Sequence, residues 1–123
     1  MKRTKRQSIT EAAAFKKQVR ASAEWARLRN AVYAAQDGFD YITGRPLRAG
    51  FNVHHACLDW HEYDNFNAHH FYALNKTTHD GVHAFYTAAT AGTKSSADAR
   101  QHVDELLSNL RIVLMDMVEE NYD

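Results

Sequence analysis

The chain has 123 residues, of which 45% are hydrophobic and 24% charged, and its 15 Lys and Arg balance its 15 Asp and Glu. This composition is typical of a soluble globular protein with one modest core, so we expect a single domain spanning residues 1–123. No apolar run approaches the roughly 20 residues that a membrane helix needs, and the lone Cys57 excludes an intrachain disulfide. We therefore expect a cytoplasmic protein without a membrane partner.

Charge is unevenly distributed along the chain. Residues 1–30 carry nine Lys and Arg against two Glu, whereas residues 94–123 carry three Lys and Arg against seven Asp and Glu. A chain polarised in this way can present a basic surface to phosphates while remaining neutral overall. The alternative is a basic tail that is merely solvated.

The first third of the chain is predicted to be basic and helical. Residues 1–7 have the composition of a flexible basic arm, and residues 8–36 follow a helical apolar spacing that ends at Asp37. A phosphate backbone could meet the basic side chains that lie away from the apolar stripe. These are Lys16, Lys17, Arg20, Arg27 and Arg29.

Two serines are candidates for the start of this helical region and for a break within it. Ser8 precedes Glu11 by three positions, which is the spacing of a capping box at a helix start. Ser22 marks a point at which the region would divide into two helices.

Residues 39–90 are predicted to contain two strands followed by a helix. After a turn-rich segment, a short alternating run leads to the pair His54 and His55, and the residues HFYAL at 70–74 are typical of a second strand. The next helix is expected to begin near Thr77, since Thr is favoured at helix starts.

The long loop between the two strands, residues 56–69, is rich in aromatic residues. It holds Trp60, Tyr63 and Phe66, more aromatic material than a purely solvated loop would carry. We expect these rings to anchor the loop on the core rather than to stack on bases.

Residues 95–121 are predicted to form the last helix, with Ser95 as its cap and Asp98 three residues on. Its apolar residues recur at helical spacing, so we expect this stripe to be buried against the N-terminal helix; a homodimer contact is the alternative. The predicted fold class is α+β and mainly helical, with a small two-stranded hairpin and helix flanked by N-terminal and C-terminal helices.

Seven of the eight histidines lie between positions 54 and 83. His79 and His83 stand four apart, which places both imidazoles on one face of a helix, one turn apart. His54 or His55 can bring a third nitrogen, and three imidazoles with an open position are typical of a reactive metal site. The other histidine of the pair would suit a general base. Because successive side chains of a strand point to opposite faces, both can face the helix only if the strand ends there.

This spacing resembles that of the HNH nucleases, also called the ββα-metal family, and within it the three-histidine sites of the colicin-type DNases. In that family a His-His pair closes the first strand, an Asn begins the second strand, and His-x-x-x-His lies on the helix. The resemblance implies that His54, His79 and His83 hold the metal and that His55 is the general base. His70 stands at the position of the Asn and is taken as the second catalytic residue.

The resemblance covers roughly residues 22–90 and has two departures. An imidazole at His70 imitates only part of what the family's Asn does for the loop, so Asn67 or Asn75 is an alternative source of the amide. The lead-in resembles that of phage and prophage HNH proteins, in which a basic helix precedes a Cys-x-x-Thr-Gly turn. Tyr41 stands where that Cys is usual.

The resemblance implies a metal-dependent endonuclease that hydrolyses phosphodiester bonds in DNA, by nicking or by cutting both strands. The alternative is a non-catalytic nucleic-acid-binding module with a structural metal. Imidazole-rich sites favour zinc or nickel, while magnesium or manganese are the alternatives for turnover. DNA is the expected partner, and phage packaging proteins are partners by analogy.

Overall fold

The computed structural model describes residues 5–66 and 70–122, with side chains from residue 9 onward. The elements are α1 (Lys5–Arg20), α2 (Ala23–Ala35), β1 (Asn52–His55), a short 3-10 turn (Trp60–Glu62), β2 (Phe71–Leu74), α3 (Lys76–Thr90) and α4 (Ser96–Asn121). The predicted class, α+β and mainly helical with one antiparallel hairpin, is confirmed. The chain divides into two compact units, residues 1–79 and 80–123, and the division falls within α3.

The predicted break in the N-terminal helical region occurs at Ser22. Its side-chain oxygen accepts the N–H of Trp25 at 3.1 Å, which caps α2, while its hydroxyl donates to the carbonyl oxygen of Val19 at 2.7 Å. The start of α1 differs from the prediction. Because the helix already includes Lys5, Ser8 is not its cap and residues 5–7 are helical. The rest of the predicted arm lies outside the described residues.

The core of the first unit forms around Val19, Trp25 and Val53. The loop aromatics pack against it, as predicted. Tyr63 stacks on Trp25 with ring centroids 5.7 Å apart, and Phe66 lies 6.1 Å from the same indole. Burial of such rings stabilises a fold by about 1.5–3 kcal/mol each when complete, so the loop is held mainly by its aromatic residues.

The two strands form a short antiparallel sheet in which His54 pairs with Tyr72 and His55 with Phe71. The outer edge of β2 is covered by a side chain. The amide of Gln36 donates to the carbonyl oxygen of Ala73 at 3.0 Å and accepts its N–H at 2.8 Å. This amide therefore satisfies both backbone groups of Ala73 as a neighbouring strand would.

A buried carboxylate, Asp40, joins the turn after α2 to the start of α3. Its side chain is only 2% exposed. One oxygen accepts the N–H groups of Ile42 and Thr43 at 2.9 Å each, and the other accepts the N–H of Asn75 at 2.8 Å. Burial alone would raise the pKa of this carboxyl, but these backbone donors and the Thr78 hydroxyl hold the pKa below its ordinary value.

The apolar stripe of α4 is the main difference from the predicted packing. Ser95 caps this helix by accepting the N–H of Asp98 at 3.1 Å, as predicted. No residue of α4 is buried, so the prediction that its apolar stripe is buried is wrong. Ile112 is 58% exposed and Leu114 is 50% exposed. None of the helices in the described part of the chain has the length and apolarity to cross a membrane.

We predict that Asp40→Asn destabilises the fold by about 1–3 kcal/mol at pH 7, because an amide nitrogen would replace one of the two accepting oxygens. The depressed pKa means that the contribution of Asp40 is present above the unfolded value of about 3.9 and is lost as the pH falls through the folded value. Urea unfolding should therefore show a difference between wild type and variant that shrinks below about pH 4. Asp64→Asn, at an exposed position, is the control and should change stability by less than about 0.5 kcal/mol.

For α4 we predict that the exposed stripe is covered by a second copy of the chain, because seven of the nine residues from 110 to 118 are apolar. The double variant Leu107→Glu/Leu114→Glu should shift the sedimentation coefficient from dimer to monomer. Gln101→Glu/Ser108→Glu adds the same charge at the same spacing on exposed polar positions and should leave the dimer intact. A wild type that sediments as a monomer at every concentration measured would contradict this prediction.

Candidate metal centre

The strand β1 separates the two histidines of the pair. Burial alternates along it, with Val53 and His55 buried and Asn52 and His54 half-buried, because successive strand side chains point to opposite faces. His54 lies beside the first turn of α3, where its ring meets that of His79 edge to face with centroids 5.7 Å apart.

The other two histidines of the candidate site, His79 and His83, lie one turn apart on α3. One ring nitrogen from each of His54, His79 and His83 lies within 4.8 Å of the others, and all three residues are half-buried. Among the described residues this is the one group of His, Cys, Asp or Glu side chains that could hold a metal ion. The three predicted metal ligands are therefore brought together.

The spacing of these nitrogens suits a small divalent cation. Nitrogens around a tetrahedral zinc ion lie about 2.0–2.1 Å from the metal and hence about 3.3 Å from one another. Three neutral imidazoles favour zinc, nickel or copper over calcium or magnesium, and three protein ligands leave a coordination position open.

Asn75, the residue just before α3, is hydrogen-bonded to the turn of residues 43–51. The N–H of His79 donates to the carbonyl oxygen of Asn75 at 2.9 Å, the first bond of the helix ladder. The Asn75 amide accepts the N–H of Arg48 at 2.8 Å and donates to the carbonyl oxygen of Pro46 at 3.1 Å. The Asn75 amide thus ties down the turn around Pro46 and Arg48, which is not the loop between the two strands, and Asn67, the other candidate, lies outside the described residues.

Asp40 also positions the start of α3, although it was not among the residues predicted for the site. Its carboxylate accepts from the N–H of Asn75 and so joins the turn to the residue just before α3. The available signal was the run Asp-x-x-Thr-Gly at residues 40–44, because Asp commonly accepts backbone N–H groups two and three residues ahead in turns. The partner at Asn75, 35 residues away, leaves no local signal.

His55 lies on the opposite face of β1, within the aromatic core. Its ring stacks on Tyr63 with centroids 4.2 Å apart and on Trp25 with centroids 5.5 Å apart, and the edge of Phe71 lies 5.0 Å away. The residue is only 9% exposed, and its Nε2 is buried. His55 is therefore next to a metal ligand in sequence but is not part of the three-histidine group.

His70, predicted to replace the family's Asn, precedes β2 with an exposed side chain. Its carbonyl oxygen accepts the N–H of Ala56 at 3.2 Å, so its backbone closes the base of the long loop. His70 does not belong to the three-histidine group.

Of the remaining histidines, His61 and His102 have local partners. The ring Nδ1 of His61 lies 2.8 Å from Asp59, and this hydrogen bond is the main cause that lowers the pKa of Asp59. The Nδ1–H of His102 donates to the carbonyl oxygen of Ala89 at 3.1 Å. His69 lies outside the described residues.

The basic residues of α1 and α2 divide into two groups. The guanidinium of Arg29 lies 3.6 Å from the ring centroid of Phe51 and donates to the Phe51 carbonyl oxygen, and burial lowers the pKa of Arg29. Its predicted place away from the apolar residues is therefore wrong. Arg20 donates to the Tyr63 hydroxyl at 3.3 Å, whereas Lys17 and Arg27 are exposed.

We predict that the purified chain binds zinc or nickel in calorimetry and that His79→Ala weakens this binding by more than about tenfold, the loss seen for changes even to outer-shell partners. His61→Ala is the matched control and should leave the affinity unchanged, because His61 lies outside the group. Affinity should fall below about pH 6, since the ligands must be neutral and the ordinary pKa of histidine is about 6.5. Undiminished binding by His79→Ala would show that the metal binds elsewhere.

The candidate site therefore combines one histidine from β1 with two from α3. No family model, curated protein or solved structure matches this chain.

Proposed function

We propose that the chain is a metal-dependent endonuclease that hydrolyses phosphodiester bonds in DNA. The observation that carries the proposal is the group of His54, His79 and His83, whose nitrogens lie within 4.8 Å of one another. β1 carries His54, α3 carries His79 and His83, and β2 lies between them in the chain. This order of strand, strand and helix is the one that the resemblance to HNH nucleases implies. A site with three protein ligands suits catalysis better than a purely structural role, which normally takes four.

A divalent cation held by these three histidines would supply positive charge to stabilise the negative charge that develops on the phosphate and on the leaving oxygen. The half-buried setting of the ligands strengthens this effect, because charges interact more strongly where less water screens them. The backbone turn at Asp40 and Asn75 contributes by fixing the start of α3, and with it the position of His79.

In this proposal His55 takes a proton from the water that attacks phosphorus. The bond from phosphorus to the 3′ oxygen breaks, the 3′ oxygen takes a proton from solvent, and the products carry a 5′ phosphate and a 3′ hydroxyl. Stacking against Tyr63 and Trp25 would hold the imidazole in one orientation, as a general base requires. His55 is 9% exposed and its Nε2 is buried, so the attacking water would have to enter the aromatic core to reach that nitrogen.

The same burial favours a second candidate function, a DNA-binding module in which the metal only stabilises the fold. A histidine packed against two aromatic rings has a structural role whether or not it transfers protons. In this alternative the fourth coordination position would be closed by something other than His55 or His70, since neither belongs to the group.

Nicking of supercoiled plasmid separates the two functions. Wild type should nick in magnesium, manganese, nickel or zinc, and His55→Phe should lower the rate by about 10²–10⁴-fold, the usual contribution of a general base. Phe is chosen because it keeps a ring stacked against Tyr63 and Trp25 while removing both nitrogens. Metal affinity and the unfolding temperature should stay close to those of wild type, and His61→Phe, at an exposed histidine, should nick normally.

Two results would count against the proposal in different ways. A wild type that binds metal and DNA but is inert with every cation would overturn the endonuclease and favour the binding module. Full activity in His55→Phe, with loss of activity in His79→Ala, would keep the metal-dependent endonuclease but assign the base to another group.

A further inference from the structure

A groove with a volume of about 710 Å³ lies between the turn of residues 43–51 and the first residues of α3. Three of its lining side chains are basic and exposed: Arg45, Arg48 and Lys76. None of the lining residues within the described part of the chain is Asp or Glu. The groove therefore concentrates positive charge in a protein whose formal charge is zero.

The two carboxylates nearest in sequence do not line the groove: Asp80 is an exposed residue of α3, and Asp40 lies in the turn after α2. Asp40 is 2% exposed, and its oxygens accept N–H groups from the turn and from Asn75. These hydrogen bonds satisfy the carboxylate inside the protein, whereas Arg45 and Arg48 are exposed.

The start of α3 adds hydrogen-bond donors to the groove. Thr77 and Thr78 line it, and their N–H groups precede the first bond of the helix ladder, which His79 makes to Asn75. N–H groups at a helix start favour anions, since they carry the positive end of the helix dipole. This effect is secondary to the three basic side chains, which dominate the charge of the groove.

We propose that this groove binds phosphates of a duplex DNA backbone beside the metal centre. Guanidinium groups form paired hydrogen bonds with phosphate oxygens, and Thr78, which lines the groove, directly precedes His79 of the three-histidine group. Most of the lining residues are exposed, which suits an extended polyanion better than an enclosed small ligand. The choice of DNA rests on the proposed endonuclease function, whereas the anion chemistry rests on the groove alone.

The test measures binding of labelled duplex DNA by fluorescence anisotropy, in the presence of a chelator so that no cutting occurs, over a range of salt concentrations. Arg45→Gln/Arg48→Gln should reduce the slope of log affinity against log salt by about 1.8, because each lost phosphate contact removes about 0.9. Both backbone N–H groups remain, so the bond from Arg48 to Asn75 is kept. Circular dichroism and zinc affinity should match those of wild type.

The matched control is Lys94→Gln/Arg100→Gln, which removes two exposed positive charges outside the groove. It should leave the slope nearly unchanged. Equal slopes for the two double variants would overturn the groove assignment, since the effect would then follow net charge alone. Displacement of DNA by millimolar inorganic phosphate at matched ionic strength would also overturn it, in favour of a site for free phosphate.

These outcomes remain separate from those of the nicking assay. A groove-dependent salt slope in a protein that cuts nothing would keep the groove and remove the endonuclease. Normal nicking with equal slopes for both double variants would keep the endonuclease and remove the groove.

Discussion

The buried carboxylate of Asp40 is the constraint on which the candidate site depends. Burying a charge is costly unless it is hydrogen-bonded, and here backbone N–H groups from both the turn and Asn75 meet that need. These bonds hold a turn of the first unit against the residue that precedes α3. Because His79 is in the first turn of that helix, the position of a candidate metal ligand depends on Asp40, a residue 39 positions earlier that is not part of the three-histidine group.

The alternation of β1 assigns its two histidines to different environments. His54 faces the helix histidines, while His55 enters the aromatic core and stacks against Tyr63 and Trp25. The two functions suggested by adjacent histidines, metal ligand and general base, are thereby placed on opposite faces of one short strand. This arrangement makes His55 a core residue first, and any catalytic role would have to be compatible with its packing.

The basic residues show a similar division between structure and surface. Arg29 packs on Phe51 and satisfies its carbonyl oxygen, so its charge serves the fold. Arg45 and Arg48 extend from a turn whose backbone is already held by other groups. A neutral chain can therefore still present a concentrated basic surface. Arg29 is bonded within the fold, whereas Arg45 and Arg48 line the same groove.

The features that follow from local periodicity were predictable from the sequence. The four-residue spacing of His79 and His83, the break at Ser22 and the cap at Ser95 each depend on residues within one or two turns of a helix. The order of two strands and a helix, and the three histidines that converge, followed from such local patterns together with the resemblance.

Tertiary structure decided the features that depend on partners distant in the chain. The amide of Gln36 covers the edge of β2 from 37 residues away, and Asp40 reaches Asn75 across 35 residues. Neither partner is marked by any local spacing, because a side chain gives no sign of which distant backbone group it will meet. The exposure of the α4 stripe was also undetermined, since an apolar face indicates only that something covers it and not what does.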